Sequence, residues 1–126
     1  MSTKSKGSTR GTLYLYIAQL RLEDAKILLE KKRYHGSLYL AGYSVECALK
    51  WAITRRLGEV HLPAEYEIHD LQKLMGNSGL VQDLKQDTST LVLFSALADD
   101  WRLEPARTLR CSPVGGAQSD AALQPD

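Results

Sequence analysis

Residues 34–56 read YHGSLYLAGYSVECALKWAITRR and contain no proline. Their apolar residues recur at steps of three and four, which is the spacing of one continuous stripe on an α-helix. The residues of this stripe are Leu38, Ala41, Val45, Ala48 and Ala52. Gly58 follows a last turn that carries Arg55 and Arg56, an arrangement typical of a helix C-terminus. We therefore predict a central helix over residues 34–57.

One carboxylate interrupts the apolar middle of this helix. Glu46 stands between Val45 and Cys47, and burying a carboxylate alone is costly. Lys50 follows four residues later, which is the favourable orientation for a Glu–Lys pair on a helix. Glu46 must reach solvent, pair with a cation or form hydrogen bonds inside the core. We favour a structural role, in which Lys50 or a tyrosine hydroxyl satisfies Glu46 and the pair fixes the register of the helices.

The composition favours a single globular domain and excludes several other classes of protein. The chain has 126 residues, of which 44% are hydrophobic and 25% are charged, an ordinary balance for one globular domain. Its net charge of +1 gives no overall attraction to nucleic acid. Cys47 and Cys111 are far apart and form no C-x-x-C pattern, so neither a zinc site nor a disulfide framework is indicated. No apolar stretch reaches the roughly 18 residues of a membrane span, and we expect a cytoplasmic protein without a membrane partner.

The chain before the central helix predicts an arm and a second long helix. Residues 1–11 are polar and rich in Ser, Thr, Lys and Gly, so we expect a disordered arm. Thr12 is the expected cap of an amphipathic helix over residues 12–32. The short connection after it makes the two long helices an antiparallel hairpin. The stripe expected to face the neighbouring helix consists of Leu15, Ala18, Leu22, Ala25 and Leu29.

Shorter elements are predicted downstream. Pro63 prevents a helix across the loop at residues 60–68, and residues 69–75, HDLQKLM, form a short helix with a further turn at 80–85. A last helix over residues 87–102 begins with Asp87 or Thr88 as its cap. Its expected inward face consists of Leu91, Phe94, Leu97, Ala98 and Trp101. The aromatic residues expected in the core are Tyr34, Tyr39, Tyr43, Phe94 and Trp101.

The pattern as a whole predicts an all-α protein. No strand-like alternation persists, so we predict an antiparallel up-and-down bundle of four helices, with five as the upper number. Residues 12–104 form this helical domain, and the Pro- and Gly-containing residues 105–126 form a flexible tail.

Three ordered pieces of sequence carry a resemblance to a known family. They are A-x-x-R-L-x-x-A-x-x-x-L at Ala18 to Leu29, L-A-G-Y-S-V-E-C-A-L-K at Leu40 to Lys50, and H-D-L-x-x-L at His69 to Leu74. As a set they resemble the HEPN domain, a nucleotide-binding helical domain. The resemblance implies a bundle that dimerises through its long helices. It also implies pairing with a minimal nucleotidyltransferase, often encoded beside it, in toxin–antitoxin or defence systems.

Many members of the family cleave RNA with an Arg-x(4–6)-His motif near the start of the final helix. This sequence departs from that pattern, because no histidine follows His69. The same spacing does occur earlier in the sequence, where Arg55 and Arg56 precede His61 by six and five positions. A histidine base and a cation that stabilises phosphorane charge would suit metal-independent RNA cleavage. We favour a binding module, in which these arginines end a helix and His61 lies in a solvated loop, and keep an endoribonuclease as the alternative.

A nucleotide site is the other candidate. Tyr43 would stack on a base, Glu46 and Lys50 would line a pocket between the two long helices, and His69 would contact phosphate at a helix N-terminus. The competing interpretation of residues 69–70 is capping, with Asp70 in the first turn and His69 bonded to a loop carbonyl. Asp99 and Asp100 have no visible third ligand, so we propose no metal, and no pattern requires a cofactor. The partners expected are a second copy of the chain, a nucleotidyltransferase, and a nucleotide or RNA.

Overall fold

The computed structural model describes residues 6–103 of the chain, and side chains over residues 9–101. Five helices account for most of this part: α1 (Gly11–Glu30), α2 (Tyr34–Leu57), α3 (Leu71–Ser78), α4 (Val81–Lys85) and α5 (Thr88–Leu103). Two short strands, β1 (Lys6–Arg10) and β2 (His61–Pro63), and a 3₁₀ turn at Ala64–Tyr66 complete it. The all-α class and the helical bundle are confirmed, with the upper number of helices. No helix in the described part has both the length and the apolar character needed to span a bilayer.

The two long helices form the expected hairpin. Two serines of α2 donate hydrogen bonds to main-chain carbonyls of α1, from Ser44 Oγ to Ala18 O at 2.7 Å and from Ser37 Oγ to Ala25 O at 2.8 Å. The two serines are seven residues apart and so are the two alanines, so the bonds recur along one line of contact. Ala18 and Ala25 are buried, which confirms that small residues of α1 face the neighbouring helix at close range.

Two residues of the predicted α1 stripe lie outside this contact. Leu22 is 45% exposed and Leu29 is 56% exposed, so their assignment to the inward face is wrong. The contact between α1 and α2 follows a narrow line of alanines. Because the two helices approach closely along this line, the larger side chains of α1 lie at the edge of the contact. α1 therefore carries more exposed apolar surface than one amphipathic face requires.

The central helix is buried on more than one side. α1 packs on one side of α2, while α3 and α5 pack elsewhere around it. The five residues of the sequence stripe are each half-buried. The buried positions of α2 are Gly36, Tyr39, Gly42, Ser44, Glu46, Cys47, Leu49, Lys50, Ile53 and Thr54. Gly58, at φ 70°, ends α2 in the left-handed conformation, as predicted.

The core lies between α2 and the second half of the chain. Its buried cluster consists of Leu49, Ile53, Leu62, Leu71, Leu74, Phe94, Ala98 and Trp101. Trp101 is fully buried, and its Nε1 donates a hydrogen bond to Tyr39 O at 3.2 Å. Its ring lies over Gly42, where a Cβ would overlap the indole. Tyr34, by contrast, is 61% exposed at the start of α2, so its expected place in the core is wrong.

A small sheet replaces part of the predicted arm and loop. β1 and β2 are antiparallel, with Lys6 opposite Pro63 and Arg10 opposite His61. Residues 6–10 are therefore ordered strand rather than disordered arm, and residues 61–63 are strand rather than loop. β1 reads KGSTR, which has no apolar alternation, so the usual signal of a strand is missing.

The start of α1 also differs from its prediction. Thr12 is not the cap, because the helix begins at Gly11 and Arg10 occupies the N-cap position without a side-chain cap bond. The amide of Gly11 donates instead to Val60 O at 2.9 Å. The helix start is thus set by main-chain contact with the segment before β2.

Helices α3 and α5 begin at aspartate caps. Asp70 Oδ1 accepts a hydrogen bond from the amide of Lys73 at 3.1 Å, and Asp87 Oδ1 accepts one from Thr90 at 3.2 Å. The cap at Asp87 is confirmed, and Asp70 caps α3 from the N-cap position rather than from the first turn. α3 continues through Gly76 and ends where Gly79 adopts φ 85°. The predicted tail at residues 105–126 lies outside the described residues.

Candidate functional site

The structure brings Glu46, Lys50 and His69 together. Oε2 of Glu46 accepts a hydrogen bond from Lys50 Nζ at 2.8 Å, and Nδ1 of His69 lies 3.0 Å from the same oxygen. An ionised carboxylate only accepts hydrogen bonds, so the imidazole donates from Nδ1. The Glu46 and Lys50 side chains are 2% and 6% exposed, whereas that of His69 is 36% exposed. We call these three residues the carboxylate cluster.

Opposing effects act on the ionisation of Glu46. Burial alone would raise the pKa of this carboxyl group, but the hydrogen bond from His69 and the charge of Lys50 together hold the pKa of Glu46 below its ordinary value. The carboxylate is therefore stable as an anion inside the bundle. The paired cation offsets the cost of removing this charge from water.

The carboxylate cluster connects three segments of the bundle. Lys50 Nζ lies 5.5 Å from the centroid of the Tyr14 ring on α1, a cation–π distance. His69 precedes α3, and Glu46 and Lys50 belong to α2. The predicted pairing of Glu46 with Lys50 is present, and the predicted bond from His69 to a loop carbonyl is replaced by its contact with Glu46.

Tyr43 does not share the bonds of the carboxylate cluster. It lies one turn before Glu46 and is half-buried, and burial raises its pKa to about 12. Three of the four predicted nucleotide-binding residues thus meet, but Glu46 and Lys50 are enclosed and satisfy each other. A nucleotide that reached both would have to part α2 from the segment before α3. Nucleotide binding at this place stays a prediction.

The two arginines of the ribonuclease alternative have different surroundings. Nε of Arg56 donates to Asn77 O at 2.8 Å, which joins the end of α2 to α3. Arg55 lies over the Trp51 ring, with its guanidinium carbon 5.3 Å from the centroid. His61 lies on β2, opposite Arg10 of β1. Arg56 therefore contacts α3, whereas Arg55 contacts Trp51 of its own helix.

A cavity of about 220 Å³ lies beside Arg55, where α1 begins and α2 ends. We call it the helix-end cavity. Its lining consists of Arg10, Gly11, Thr12, Trp51, Thr54, Arg55, Glu59 and Val60. Sequence reasoning missed it. The sequence shows that Trp51 and Arg55 share one helix face. It does not show that Arg10 lies near them, because this depends on the pairing of β1 with β2.

Neither grouped metal ligands nor an exposed cysteine occurs among the described residues. Within residues 9–101, no three His, Cys, Asp or Glu side chains are grouped as metal ligands. Cys47 is buried, and burial together with the charge of Glu46 raises its thiol pKa to about 12. A thiol with this pKa stays protonated and is a poor nucleophile.

A family model described as HEPN domain matches residues 12–107. The chain belongs to the HEPN domain family. The match includes all five helices, so the resemblance carried by the three short motifs extends over the whole bundle. No curated protein and no solved structure matches the chain significantly.

Two of the family motifs have structural roles in this HEPN domain. Glu46 and Lys50, from the motif at residues 40–50, form the buried ion pair. His69 and Asp70, from the H-D-L motif, bond to Glu46 and cap α3 respectively. Glu46 and His69 of these two motifs thus form a contact between α2 and the segment before α3.

Proposed function

We propose that this HEPN domain is a binding module that forms a homodimer and acts as the accessory of a minimal nucleotidyltransferase in a toxin–antitoxin or defence pair. The observation that carries the proposal is an apolar stripe on the side of α1 away from α2. Its members are Leu13, Tyr16, Leu20 and Ile27, and we call it the outer stripe.

Three of the four residues of the outer stripe are exposed. Leu13 is 46%, Tyr16 58% and Ile27 54% exposed, while Leu20 between them is half-buried. Steps of three, four and seven residues place these side chains on one face of a helix. A helix that is apolar on two faces is normally covered on both, and this exposed apolar row supports an interaction surface on α1.

The spacing of the outer stripe suits a second copy of the same helix. Leu13, Leu20 and Ile27 are each seven residues apart, so the row is symmetric about Leu20. In an antiparallel pair related by a twofold axis at Leu20, Leu13 of one copy would lie opposite Ile27 of the other. Such an isologous contact needs one self-complementary patch, and a spacing of seven is that of interdigitating helices.

The dimer can be tested with one charge and a neighbouring control. Leu20→Glu places a carboxylate at the proposed axis, where two copies would bring like charges together. Gln19→Glu adds the same charge one residue away, at an exposed position beside the stripe. Light scattering after gel filtration should give a dimer for the wild type and Gln19→Glu, and a monomer for Leu20→Glu. A monomeric wild type at tens of micromolar would contradict the proposal.

The accessory role is supported by membership of the HEPN family and by the lack of the Arg-x(4–6)-His motif after His69. It predicts a minimal nucleotidyltransferase gene beside the gene of this chain, and co-expression of the two proteins tests it. We expect the two proteins to elute as one complex of defined stoichiometry. Separate elution of two folded proteins would leave only the homodimer part of the proposal.

An endoribonuclease is the second candidate. Arg10 of β1 lies opposite His61 of β2, and Arg55 lies in the last turn of α2, shortly before His61 in the chain. Arg55 or Arg56 would stabilise phosphorane charge, and His61 would remove the 2′-hydroxyl proton. RNA cleavage by the purified protein in EDTA tests it, with His61→Ala beside the wild type. We expect no cleavage. Cleavage that is lost in His61→Ala would establish the enzyme and overturn the simple binding module.

The predicted nucleotide site at the carboxylate cluster has its own test. A ligand that binds only the folded state raises the melting temperature. Because Glu46 and Lys50 are buried and paired, we expect no rise with ATP that depends on this cluster. A rise that disappears in His69→Ala but persists in Arg55→Gln would assign nucleotide binding to the cluster.

A further inference from the structure

We propose that the helix-end cavity binds a small aromatic oxyanion, that is, a phosphate or carboxylate group attached to a flat ring. The inference goes beyond the proposed function, because it concerns the cavity at the start of α1 and the end of α2, whereas the dimer concerns the outer stripe of α1.

Two cations line the helix-end cavity. Arg10 and Arg55 are both exposed residues of its wall, and within the described part of the chain neither forms an ion pair. Glu59, the one carboxylate of the lining, follows Arg55 by four residues without pairing with it. Two guanidinium groups offer planar, paired donors that match the oxygens of phosphate and carboxylate.

The remaining wall is aromatic and apolar. Trp51 is half-buried, and the guanidinium of Arg55 lies against one side of its ring, which keeps that cation oriented before any ligand arrives. Val60 and the threonine side chains add apolar surface. A ligand held by the arginines would therefore place its carbon skeleton against indole and methyl groups. A flat ring suits this wall because it stacks or packs edgewise on an indole.

The cavity is small and its frame is fixed by main-chain contacts. A volume of about 220 Å³ is below the roughly 300 to 1,000 Å³ of drug-sized sites, which favours a single ring with one anionic group. Gly11 N–H bonds to Val60 O at 2.9 Å, and Thr54 Oγ1 donates to Trp51 O at 2.6 Å. A Cβ at Gly11 would overlap the Thr54 hydroxyl, so the start of α1 is in direct contact with α2 at one wall of the cavity.

Calorimetric titration with phenyl phosphate, benzoate and inorganic phosphate tests the proposal. We expect saturable binding of phenyl phosphate or benzoate, and the stronger of the two identifies the anionic group. Inorganic phosphate should bind at least about tenfold more weakly, since it has no ring for Trp51. Equal binding of inorganic phosphate and phenyl phosphate would contradict the aromatic part of the site, and no saturable binding of either aromatic anion would overturn the proposal.

Variants locate the site. Arg10→Gln and Arg55→Gln should each weaken binding about tenfold or more, the usual effect of losing a charged hydrogen bond. Glu59→Gln should strengthen it, because a nearby negative charge is removed. Lys85→Gln removes one positive charge from α4, which does not line the cavity, and should leave binding unchanged. Circular dichroism establishes that each variant is folded. Unchanged affinity in both folded arginine variants would exclude this cavity.

Discussion

Nδ1 of His69 lies 3.0 Å from Oε2 of Glu46, so a residue just before α3 bonds to a carboxylate at the centre of α2. The same oxygen accepts a hydrogen bond from Lys50. Glu46 is thus held by one donor from its own helix and one from the neighbouring segment. The charge that seemed to interrupt the apolar helix is part of the contact between α2 and α3.

Removing one partner of the buried pair should cost more than removing both. Glu46→Met leaves the Lys50 cation buried without its carboxylate, and we expect a loss of about 3 kcal/mol in the free energy of unfolding. The double variant Glu46→Met with Lys50→Met replaces the pair by apolar side chains, and should recover much of that loss. Urea denaturation measures both, with the exposed Glu30→Met as the control. Additive losses in the double variant would show that the pair is not coupled.

The pH dependence of stability should report Glu46. Because the pKa of Glu46 is lowered in the folded protein, folding favours its ionised form. This contribution is complete above the ordinary pKa of 4.5 and is lost as the pH falls through the folded value. The wild type should therefore lose more stability between pH 7 and pH 3.5 than Glu46→Gln does. Chemical denaturation at the two pH values measures the difference, and Glu30→Gln should behave as the wild type. An equal loss in wild type and Glu46→Gln would contradict the assignment.

Gly42 and Gly76 should respond in opposite directions to alanine. A Cβ at Gly42 would overlap the ring of Trp101, whereas a Cβ at Gly76 in α3 meets nothing within 4 Å. Gly42→Ala should lower the free energy of unfolding by about 1–3 kcal/mol through overpacking. Gly76→Ala should raise it by about 0.5–1 kcal/mol, because alanine is the better helix residue. Thermal and urea unfolding of the two variants test this pair, and a neutral Gly42→Ala would show that Trp101 can move aside.

The helices were accessible to sequence reasoning because their signals are local. The central helix and its end at Gly58 follow from periodicity and one glycine, and the cap at Asp87 from its place before an apolar run. The two strands were missed because β1 is polar and β2 has three residues, so their pairing depends on main-chain bonds between distant segments. Leu22 and Leu29 were misplaced because periodicity gives a stripe but not the width of the contact.

The candidate sites could be predicted from the sequence only in part. Glu46 and Lys50 are four residues apart on one helix, and their pairing follows from that spacing. His69 is 23 residues from Glu46, and its bond needs the path of the chain between α2 and α3. The helix-end cavity likewise needs Arg10, which belongs to a strand that has no local signal. Both the carboxylate cluster and the helix-end cavity therefore depend on contacts between segments that are distant in sequence.

The proposed dimer makes stability depend on protein concentration. If two copies associate through the outer stripe only when folded, mass action raises the melting temperature as the concentration rises. We expect the wild type and Gln19→Glu to melt at higher temperature at 100 μM than at 1 μM. Leu20→Glu should melt at one temperature throughout, because like charges would meet at the proposed axis. Differential scanning fluorimetry across this range measures the effect. A concentration dependence that survives in folded Leu20→Glu would place the interface away from Leu20.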